Sequence, residues 1–446
     1  MLRLRDGQST VWEELLPVEA RLLSTELAAV DNLLDDDRFL RPFVEQFSCP
    51  IGRPTIPMET YLRLMYLKHR YGLGYETLVK EVADSLSWRR FCRIGLGASV
   101  PHPTTLMKLT RRFGPGIVEQ LNETLLKAAV EQRVLRSRRV RVDTTVMEAD
   151  VRYPTDSGLC AHAISRVTRA VRRVKAVGLA ARSRFRDRRR AAGKVIRNVS
   201  HSLGRSRSRA AIDRLTAEVH RLAKTTLGEA RHVLSNAQRG LRRRPRPGQG
   251  WVAKLADEIE RAQRVIEQTM RRLAGEVTIP DRVISLSDMD ARPIRRGKPQ
   301  RPTEFGYKVS IADTPEGFVV SHQVYTGAPA DTDTLGPALE GAQATGMRVR
   351  TVLADRGYGN EVADEILAGH GISDKVVPRV GTAAPVERTR AWRRRYRFRA
   401  GSEGRISHLK RRHGLSRTRL KGHTGATIWA GYGVLAHNLD RMVALT

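Results

Sequence analysis

Cysteine and aromatic residues are both scarce in this sequence of 446 residues. The three cysteines, Cys49, Cys92 and Cys160, lie far apart and form no C-x2-C pair, so their spacing suggests neither a zinc site nor a disulfide framework. A reducing cytoplasm fits this usage. Aromatic side chains make up only 5% of the chain, which argues against a protein that reads single-stranded nucleic acid by stacking.

Long apolar runs are also missing. No run approaches the roughly 18 residues that a membrane-spanning helix needs, so no membrane partner is expected. The first residues include Arg3, Arg5 and Asp6 and no apolar segment, so we expect no signal peptide.

Several common catalytic motifs are absent. There is no G-x-x-x-x-G-K-[ST] loop, which disfavours ATP-driven work, and no G-x-S-x-G turn of the kind that carries a nucleophilic serine. The twelve histidines include no H-E-x-x-H pair, so a zinc protease is not indicated.

Acidic residues are too few to balance the basic ones. Lys and Arg number 80 against 47 Asp and Glu, which gives a formal net charge of +33. A chain with such an excess attracts polyanions, and nucleic acid is the partner we infer. A membrane surface fits less well because no basic amphipathic helix carries a bulky aromatic face.

Residues 55–135 have the pattern of a helical unit. Apolar residues recur at three- and four-residue steps, a glycine-containing break lies at 72–75, and Thr104 or Thr105 is a plausible N-cap of a later basic helix. This order is compatible with a helix-turn-helix-like DNA-binding unit. A plain helical bundle or a dimerisation module explains the pattern equally well.

Two aspartates come at the ends of predicted strands. The segment from Arg139 alternates apolar and polar residues, which predicts a strand that ends on Asp143. Residues 349–355 are mostly apolar, which predicts a buried strand that ends on Asp355. Acids at strand ends can project into a site, although solvated aspartates are also common there.

Further strands and turns surround the second aspartate. We predict a helix over 361–367 and a short strand over 374–377. A strand is also predicted over 283–287, and strands over 305–312 and 318–324 form a hairpin that would supply the antiparallel part of a mixed sheet. Four other aspartates are interpreted as turn or cap residues, or at most as supports of a site: Asp288, Asp290, Asp331 and Asp333.

Residues 160–275 are rich in arginine and alanine. Their apolar residues repeat at three- and four-residue steps, which predicts coiled-coil hairpins broken at Ser200–Gly204 and at Arg239–Gly250, where Pro245 and Pro247 lie. Six of the nine residues from Arg182 to Arg190 are arginine, so we favour a helical arm that lies along DNA phosphates. A dimer spacer with a solvated basic face is the alternative. The arginines assigned to phosphate are Arg188, Arg189 and Arg190.

The most informative stretch is the spacing Y-x2-R-x3-E-x6-K formed by Tyr396, Arg399, Glu403 and Lys410. At about 100° per residue, one helix would place all four within roughly 60° of one another. A single acid beside a hydroxyl, a guanidinium and an ammonium suits a metal-binding carboxylate among groups that hold phosphate. An ordinary basic helix with one pairing Glu is the bland alternative.

This spacing resembles the signature around the last acid of bacterial insertion-sequence transposases of the DDE class. The segments around Asp143 and Asp355 resemble the first-acid and second-acid blocks of the same group. The resemblance implies an RNase H-like catalytic core, cleavage at transposon ends and strand transfer into target DNA. It makes Asp143, Asp355 and Glu403 the catalytic, metal-binding triad.

The expected chemistry is phosphoryl transfer on double-stranded DNA. Three carboxylates form an oxygen-only site, which selects Mg²⁺ or Mn²⁺, and two such ions about 4 Å apart can clamp a phosphate. The side chains assigned to DNA or phosphate binding in this part of the chain are Tyr396, Arg399, Lys410 and Arg356. We expect a homodimer or a larger assembly on DNA, in the bacterial cytoplasm at the nucleoid. A non-catalytic DNA-binding protein on the same scaffold, or a simple metal-dependent nuclease, is the alternative.

The predicted fold class is α/β, with a mixed-sheet core interrupted by a helical coiled-coil insertion. The predicted domains are a helical N-terminal DNA-binding or dimerisation domain (1–135), the first part of the core (136–158), the basic insertion (159–277) and the rest of the core (278–446). Many relatives place a β-rich insert after the second acid instead, which leaves the role of the helical insertion open.

Overall fold

The computed structural model describes residues 1–5, 17–47, 51–205, 208–243, 248–295, 302–379, 381 and 384–446. Cys49, Pro245, Pro247 and most of the basic turn at 295–298 lie outside these residues. The protein has a mixed α/β structure with a mixed sheet, as predicted. It divides into two compact units, Met1–Asp150 with Ile294–Thr446, and Val151–Pro293. Across the described ranges, every helix is too short or too polar to span a lipid bilayer.

The first unit opens with helices. They are α1 (Val18–Arg21), α2 (Thr25–Leu34), α3 (Arg41–Val44), α4 (Met58–Arg70), α5 (Tyr75–Asp84), α6 (Leu86–Phe91) and α7 (Pro103–Glu131). The N-cap of α7 is His102, whose side chain accepts a hydrogen bond from the backbone of Thr104. The predicted caps Thr104 and Thr105 instead lie inside the helix, because Pro103 already has the backbone angle of a first helical residue. A kink at Gly114, which has φ 65°, divides α7.

The sheet of the first unit is mixed. Its strands are β1 (Arg139–Ala149), β2 (Arg292–Arg295), β3 (Thr303–Asp313), β4 (Val319–Thr326), β5 (Thr351–Leu353), β6 (Asp374–Val376) and β7 (Arg417–Thr418). The order is β2-β3-β1-β5-β6, with β4 also paired to β3 and β7 also paired to β1. The β1–β3 and β3–β4 pairs are antiparallel, whereas β5 and β7 run parallel to β1. The predicted hairpin over 305–324 is therefore confirmed.

Helices fill the rest of this unit. They are α12 (Leu335–Ala344), α13 (Glu361–Gly369), α14 (Arg390–Arg397), α15 (Gly401–Arg412) and α16 (Gly422–Leu445). The helix numbers α8 to α11 belong to the second unit.

The last helix, α16, joins the N-terminal helices to the sheet. It packs against α7, α4 and α2 and also against β4 and β7. The Tyr61 hydroxyl on α4 lies 3.1 Å from the Tyr432 hydroxyl on α16. On another side of α16, Asn438 forms two hydrogen bonds of 2.9 Å with the backbone of Val319 on β4. One continuous apolar core therefore includes both regions.

The compact units begin and end at different residues from the predicted domains. The helices of residues 1–135 share a unit and a core with the sheet, and the second unit begins at Val151 and ends at Pro293. A segment with its own function need not have its own core, so the functional division at residue 135 stays a prediction.

The second unit is a helical bundle. Its helices are α8 (Asp156–Ala176), α9 (Arg189–Arg205), α10 (Arg209–Arg243) and α11 (Gln249–Leu273). The predicted apolar seams supply much of its core, including Val167, Val171, Val219, Leu255 and Ile266. Arg166 of α8 holds the buried Glu258 of α11 with two hydrogen bonds of 2.6 and 2.7 Å.

Two predictions for this region are wrong. The helix α9 continues through the predicted break at Ser200–Gly204, and the chain instead turns between α8 and α9, where Gly178 and Ala180 have φ 78° and 51°. Residues 182–188 of the arginine run lie in this connection and not on a helical arm.

The predicted strand over 283–287 is also absent from the described structure, where these residues form an irregular segment. The backbone of Val283 bonds instead to the side chain of Gln268 on α11, through two hydrogen bonds of 2.9 Å. This amide satisfies the backbone groups that a neighbouring strand would otherwise have bonded.

A buried cluster of charges connects β1, β3 and α15. Asp313 ends β3 and is 1% exposed. It accepts hydrogen bonds from Arg141 of β1, with Nε 3.1 Å from Oδ1, and it lies 3.5 Å from Nε of Arg405 on α15. Arg141 also donates to the backbone oxygen of Phe398, at 3.2 Å, and stacks over the Phe398 ring. This cluster holds the segment before α15 against the sheet.

We expect Asp313→Ala to lower the free energy of unfolding by about 3–5 kcal/mol, because two arginines are left near each other without their buried carboxylate. Urea unfolding measures this change. Glu123→Ala is the matched control, since its pair with Lys127 is exposed and contributes at most about 1 kcal/mol. Equal losses in both variants would contradict the importance of the buried cluster.

Candidate functional site

Asp143 and Asp355 lie at the same level of the sheet because of the parallel register of β1 and β5. Arg141 pairs with Leu353 at the end of β5. Asp143 follows Arg141 by two residues, and Asp355 follows Leu353 by two residues in extended backbone. Side chains two residues apart in extended chain point to the same face, so the register brings the two acids together.

The prediction that β1 ends on Asp143 is wrong, since β1 continues to Ala149. The antiparallel pairing with β3 runs from Arg141 to Glu148, past the point at which β5 stops. Asp143 therefore lies in the middle of its strand, where β1 loses its parallel neighbour.

Each aspartate has one oxygen bonded to a backbone N–H. Asp143 Oδ1 accepts from the N–H of Thr144 at 2.8 Å, and Asp355 Oδ1 accepts from the N–H of Gly357 at 2.9 Å. The second oxygen of each faces a single arginine, Arg399. The local backbone thus fixes the orientation of both carboxylates.

The guanidinium of Arg399 is the point at which the three predicted acids meet. Its Nη2 lies 3.3 Å from Asp143 Oδ2 and 3.8 Å from Asp355 Oδ2, and its Nη1 lies 3.5 Å from Glu403 Oε1. The Asp143 side chain is 13% exposed, that of Asp355 is 36% exposed and that of Glu403 is 72% exposed. The solvent exposure of the acids therefore increases across the site, from the mostly buried Asp143 to the exposed Glu403.

The segment that carries Arg399 and Glu403 is not one continuous α-helix. A 3-10 turn over Phe398–Ala400 separates α14 from α15. The tighter turn rotates by about 120° per residue, so the predicted single stripe from Tyr396 to Glu403 is offset by roughly 60°. A Cβ on Gly401 would lie 1.8 Å from Nη1 of Arg141, so glycine at this position lets the buried arginine reach the turn.

Burial raises the pKa of Asp143 to about 6. The Arg399 charge and the Thr144 N–H oppose this rise, whereas the charges of Asp355 and Glu403 add to it. Three carboxylates thus face one guanidinium, and the net charge of the group is negative. Such a group has room for further positive charge.

Asp331 is a fourth acid beside the site. From the sequence, we interpret Asp331 as a turn or cap residue, or at most as a support of the site. Its Oδ1 accepts from the Thr144 hydroxyl at 3.0 Å and from Lys308 Nζ at 2.7 Å. A Cβ on Gly357 would lie 2.6 Å from Asp331 Oδ2 and 3.0 Å from Asp355 Oδ1. Only glycine leaves room for the two carboxylates there. The signal in the sequence is the Gly357 after Asp355.

The other predicted phosphate-binding residues lie in varied surroundings. Tyr396 stacks on Trp392 with ring centroids 5.0 Å apart, and Lys410 lines a cleft with Arg417. Arg356 is exposed in a short 3-10 turn directly after Asp355.

The arginines of the second unit differ among themselves. Arg188 Nη1 lies 2.9 Å from Glu229, and Arg189 Nη2 lies 2.8 Å from Asp187, so both guanidinium groups are already bonded to carboxylates. Arg190 is exposed at the start of α9.

Two family models match the chain. Residues 12–112 match a transposase domain of the DUF772 family, and residues 281–439 match a transposase DDE domain. The two matches cover more than half of the chain and include Asp355 and Glu403. The chain belongs to the DDE transposases of insertion sequences.

A similar protein is known from Rhizobium meliloti, where it is called an uncharacterized protein, ORF8 in the nfe locus. It is 30% identical over 128 residues, which are 28% of this transposase and 62% of the relative. The transposase thus spans less than two thirds of that relative's length. No solved structure matches the transposase.

Transposases of the DDE family use divalent metal ions. The acids around Arg399 fit such an ion because they offer only oxygen donors, which Mg²⁺ and Mn²⁺ prefer. Three carboxylates face a single guanidinium, and the net negative charge of the group supports the same conclusion.

We expect Asp143→Asn to stabilise the metal-free transposase near pH 7. The pKa of Asp143 is about 6 in the folded chain, whereas an aspartate in the unfolded chain has a pKa of about 4. The ionised form of Asp143 is therefore less favourable in the folded state than in the unfolded state, and this destabilises folding above about pH 4. The folded chain keeps its proton up to about pH 6, so the gain of the variant grows between pH 4 and 6 to about 1–3 kcal/mol.

Urea unfolding in a chelator, at about pH 4 and about pH 7, measures this difference. Glu361→Gln, a change of an exposed acid on α13, serves as the control. A gain for Asp143→Asn that is the same at both pH values would contradict the assigned cause.

Proposed function

We propose that the transposase cleaves double-stranded DNA at transposon ends and transfers the new strand ends to target DNA, with an RNase H-like core around β1, β3 and β5. The observation that carries the proposal is the meeting of Asp143, Asp355 and Glu403 around Arg399. The three acids come from two strand segments and a late helix, which only the tertiary fold brings together.

In this proposal Asp143, Asp355 and Glu403 hold Mg²⁺ or Mn²⁺, with two ions as the working number. When bound, such ions activate a water or 3′-hydroxyl oxygen and stabilise the leaving oxygen of the phosphodiester. The chain orients its own donors through the N–H groups of Thr144 and Gly357, which leave one oxygen of each aspartate directed at the centre.

Arg399 has a second role in the proposal. Its Nε is buried and has no hydrogen-bond partner among the described residues. Its two Nη groups lie at the edge of the acid group, within reach of a phosphate that enters there. A guanidinium binds phosphate oxygens with paired hydrogen bonds. Arg399 would therefore hold the scissile phosphate once the carboxylates bind the metal ions in place of the guanidinium.

A basic cleft of about 570 Å³ supports DNA as the partner. It is lined by the second half of α15, the loop that follows and part of α4. Its basic side chains are Arg70, Lys410, Arg411, Arg412, Arg417 and Arg419. Lys410 and Glu403 lie on the same helix, so a DNA strand that binds in the cleft would also lie near the acids. The net charge of +33 adds attraction at long range.

The assembly on DNA is proposed to be a homodimer or a larger complex, at the nucleoid of a bacterial cytoplasm. The N-terminal helices and the exposed arginines of the second unit, such as Arg190, are proposed to contact DNA outside the acid site. Tyr396 and Arg356 are proposed to bind phosphates beside Arg399.

The decisive experiment compares wild type with Glu403→Gln on duplex DNA that carries the flanking sequences of the element. Both proteins are used at concentrations that give equal DNA binding, with Mg²⁺ or Mn²⁺. We expect the variant to lose nicking and joining by at least about a hundredfold, since a metal ligand contributes several kcal/mol to the transition state.

Glu365→Gln is the matched control, because Glu365 is an exposed glutamate on α13. Equal cleavage by wild type and Glu403→Gln would remove Glu403 from the mechanism. DNA binding without cleavage under any metal would favour the non-catalytic DNA-binding alternative, and cleavage without joining would favour a simple nuclease.

Arg399→Gln separates metal binding from catalysis. Because the guanidinium competes with metal ions for the three carboxylates, we expect the variant to bind Mn²⁺ more tightly than wild type without DNA. Cleavage should fall because the phosphate loses a charged donor. Calorimetric Mn²⁺ titration and the cleavage assay test the two effects, and weaker Mn²⁺ binding by the variant would refute this role.

A further inference from the structure

Three histidines form a compact group in the first unit. This group shares no residue with the acid group around Arg399. His408 lies on α15, His413 caps the end of α15, and His437 lies on α16. One ring nitrogen from each lies within 4.8 Å of one from each of the others. His413 and His437 are buried, and His408 is half-buried.

We infer that His408, His413 and His437 bind a single zinc-type transition-metal ion, distinct from the ions of the acid site. The site would fasten the helix that carries Glu403 to α16. This inference does not rest on the proposed cleavage chemistry, because it concerns other residues and another class of ion.

The spacing of the rings fits tetrahedral coordination. The ring centroids are 5.2, 5.3 and 5.2 Å apart, so the three imidazoles form a nearly equilateral triangle. Nitrogen ligands with bonds of about 2.0–2.1 Å to one tetrahedral ion lie about 3.3–3.4 Å apart, with ring centroids about 5.2 Å apart. The Nε2 atoms of His408 and His413 are 3.3 Å apart.

The hydrogen bonds of His437 determine which of its nitrogens can bind a metal. Nε2 lies 2.9 Å from the backbone oxygen of Gly317, which can only accept, so Nε2 carries the proton. A longer contact of 3.4 Å from Arg405 to the same nitrogen would need the other tautomer, and the shorter contact decides against it. Nδ1 then carries the lone pair, and it is buried without a hydrogen-bond partner among the described residues.

This arrangement is typical of metal-binding histidines, which donate their other N–H to a carbonyl or a carboxylate. On His413, the nitrogen that lies 3.3 Å from His408 Nε2 is Nε2, and Asp440 Oδ2 lies 3.8 Å from it, which is too far for a hydrogen bond. Its Nδ1 is likewise buried without a partner in the described part of the chain. A buried ring nitrogen without a hydrogen-bond partner is costly, and on His437 this nitrogen is the one that carries the lone pair, so an ion bound there would remove the cost.

The charge around the group suits a neutral imidazole. Burial, with nearby arginines, lowers the pKa of His413 to about 3 and lowers the pKa values of His408 and His437. All three rings are thus unprotonated near neutral pH and can serve as ligands. Two of the nearby arginines already lie beside acids, with Arg70 held by Asp440 and Glu26, and Arg405 beside Asp313, which reduces their repulsion of a divalent ion. Arg411 and Arg412 at the end of α15 add positive charge near the group that a bound ion would have to overcome.

The test is a zinc titration of the full-length, untagged protein with excess Mg²⁺ present to hold the carboxylate site. We expect wild type to bind about one Zn²⁺ per chain and to give the strong visible absorption of tetrahedral Co²⁺ when Co²⁺ replaces it. His408→Gln, at the half-buried position, should weaken Zn²⁺ binding by at least about a hundredfold.

His423→Gln is the matched control, because His423 lies on α16 and its Nε2 is 2.7 Å from the backbone oxygen of Val324. It should bind Zn²⁺ as wild type does. Zn²⁺ should also raise the thermal unfolding midpoint of wild type by at least about 2 °C, and not that of His408→Gln.

A measurement on wild type alone keeps the inference testable if a variant fails to fold. X-ray absorption of the zinc-loaded protein should show three imidazole ligands. An oxygen-only shell, equal Zn²⁺ affinity of wild type and His408→Gln, or no stoichiometric binding would each overturn the inference. The 3.3 Å contact would then be an ordinary N–H···N hydrogen bond between two histidines.

Discussion

The position of Arg399 and Glu403 depends on one buried carboxylate, Asp313. It ends β3, bonds to Arg141 of the neighbouring strand and lies beside Arg405 of α15. A buried aspartate is stable as an ion only with such partners, so the two arginines are held in fixed places. Arg141 then bonds to Phe398 and passes Gly401, which fixes the turn between α14 and α15. The acid group is assembled on this support.

The acid group itself combines opposite requirements. Its three carboxylates repel one another, and Arg399 reduces that repulsion in the folded protein. A group of acids whose charge is fully neutralised would attract metal ions less strongly. Three carboxylates that face one guanidinium leave the group with excess negative charge, and burial further disfavours the ionised form of Asp143. In the proposed function, this cost to stability lies at the position where the metal ions would bind.

The helix α16 connects the parts of the first unit. Its contacts with Tyr61 on one side and Val319 on another bring the N-terminal helices and the sheet into one core. The cleft lined by Lys410, Arg417 and Arg419 also includes Arg70 of α4. Residues from the two ends of the chain therefore form one basic surface within this unit.

The sequence by itself determined the class of the fold, the hairpin over 305–324, the apolar seams of the bundle, and the choice of Asp143, Asp355 and Glu403 as the acids of interest. These features are encoded in short-range periodicity and in spacing along the chain. Breaks and caps were less predictable: Pro103 moved a cap to His102, and α9 continued through Ser200–Gly204 because local propensity is a weak signal.

Only the tertiary structure decided which side chains meet. The parallel register of Arg141 with Leu353 sets Asp143 level with Asp355, and no spacing along the chain contains that register. Asp331 beside Thr144, Asp313 beside Arg405, and His437 beside His408 and His413 are juxtapositions of the same kind. They depend on which strands pair and which helices pack, and that is settled by the burial of the whole core rather than by any one segment.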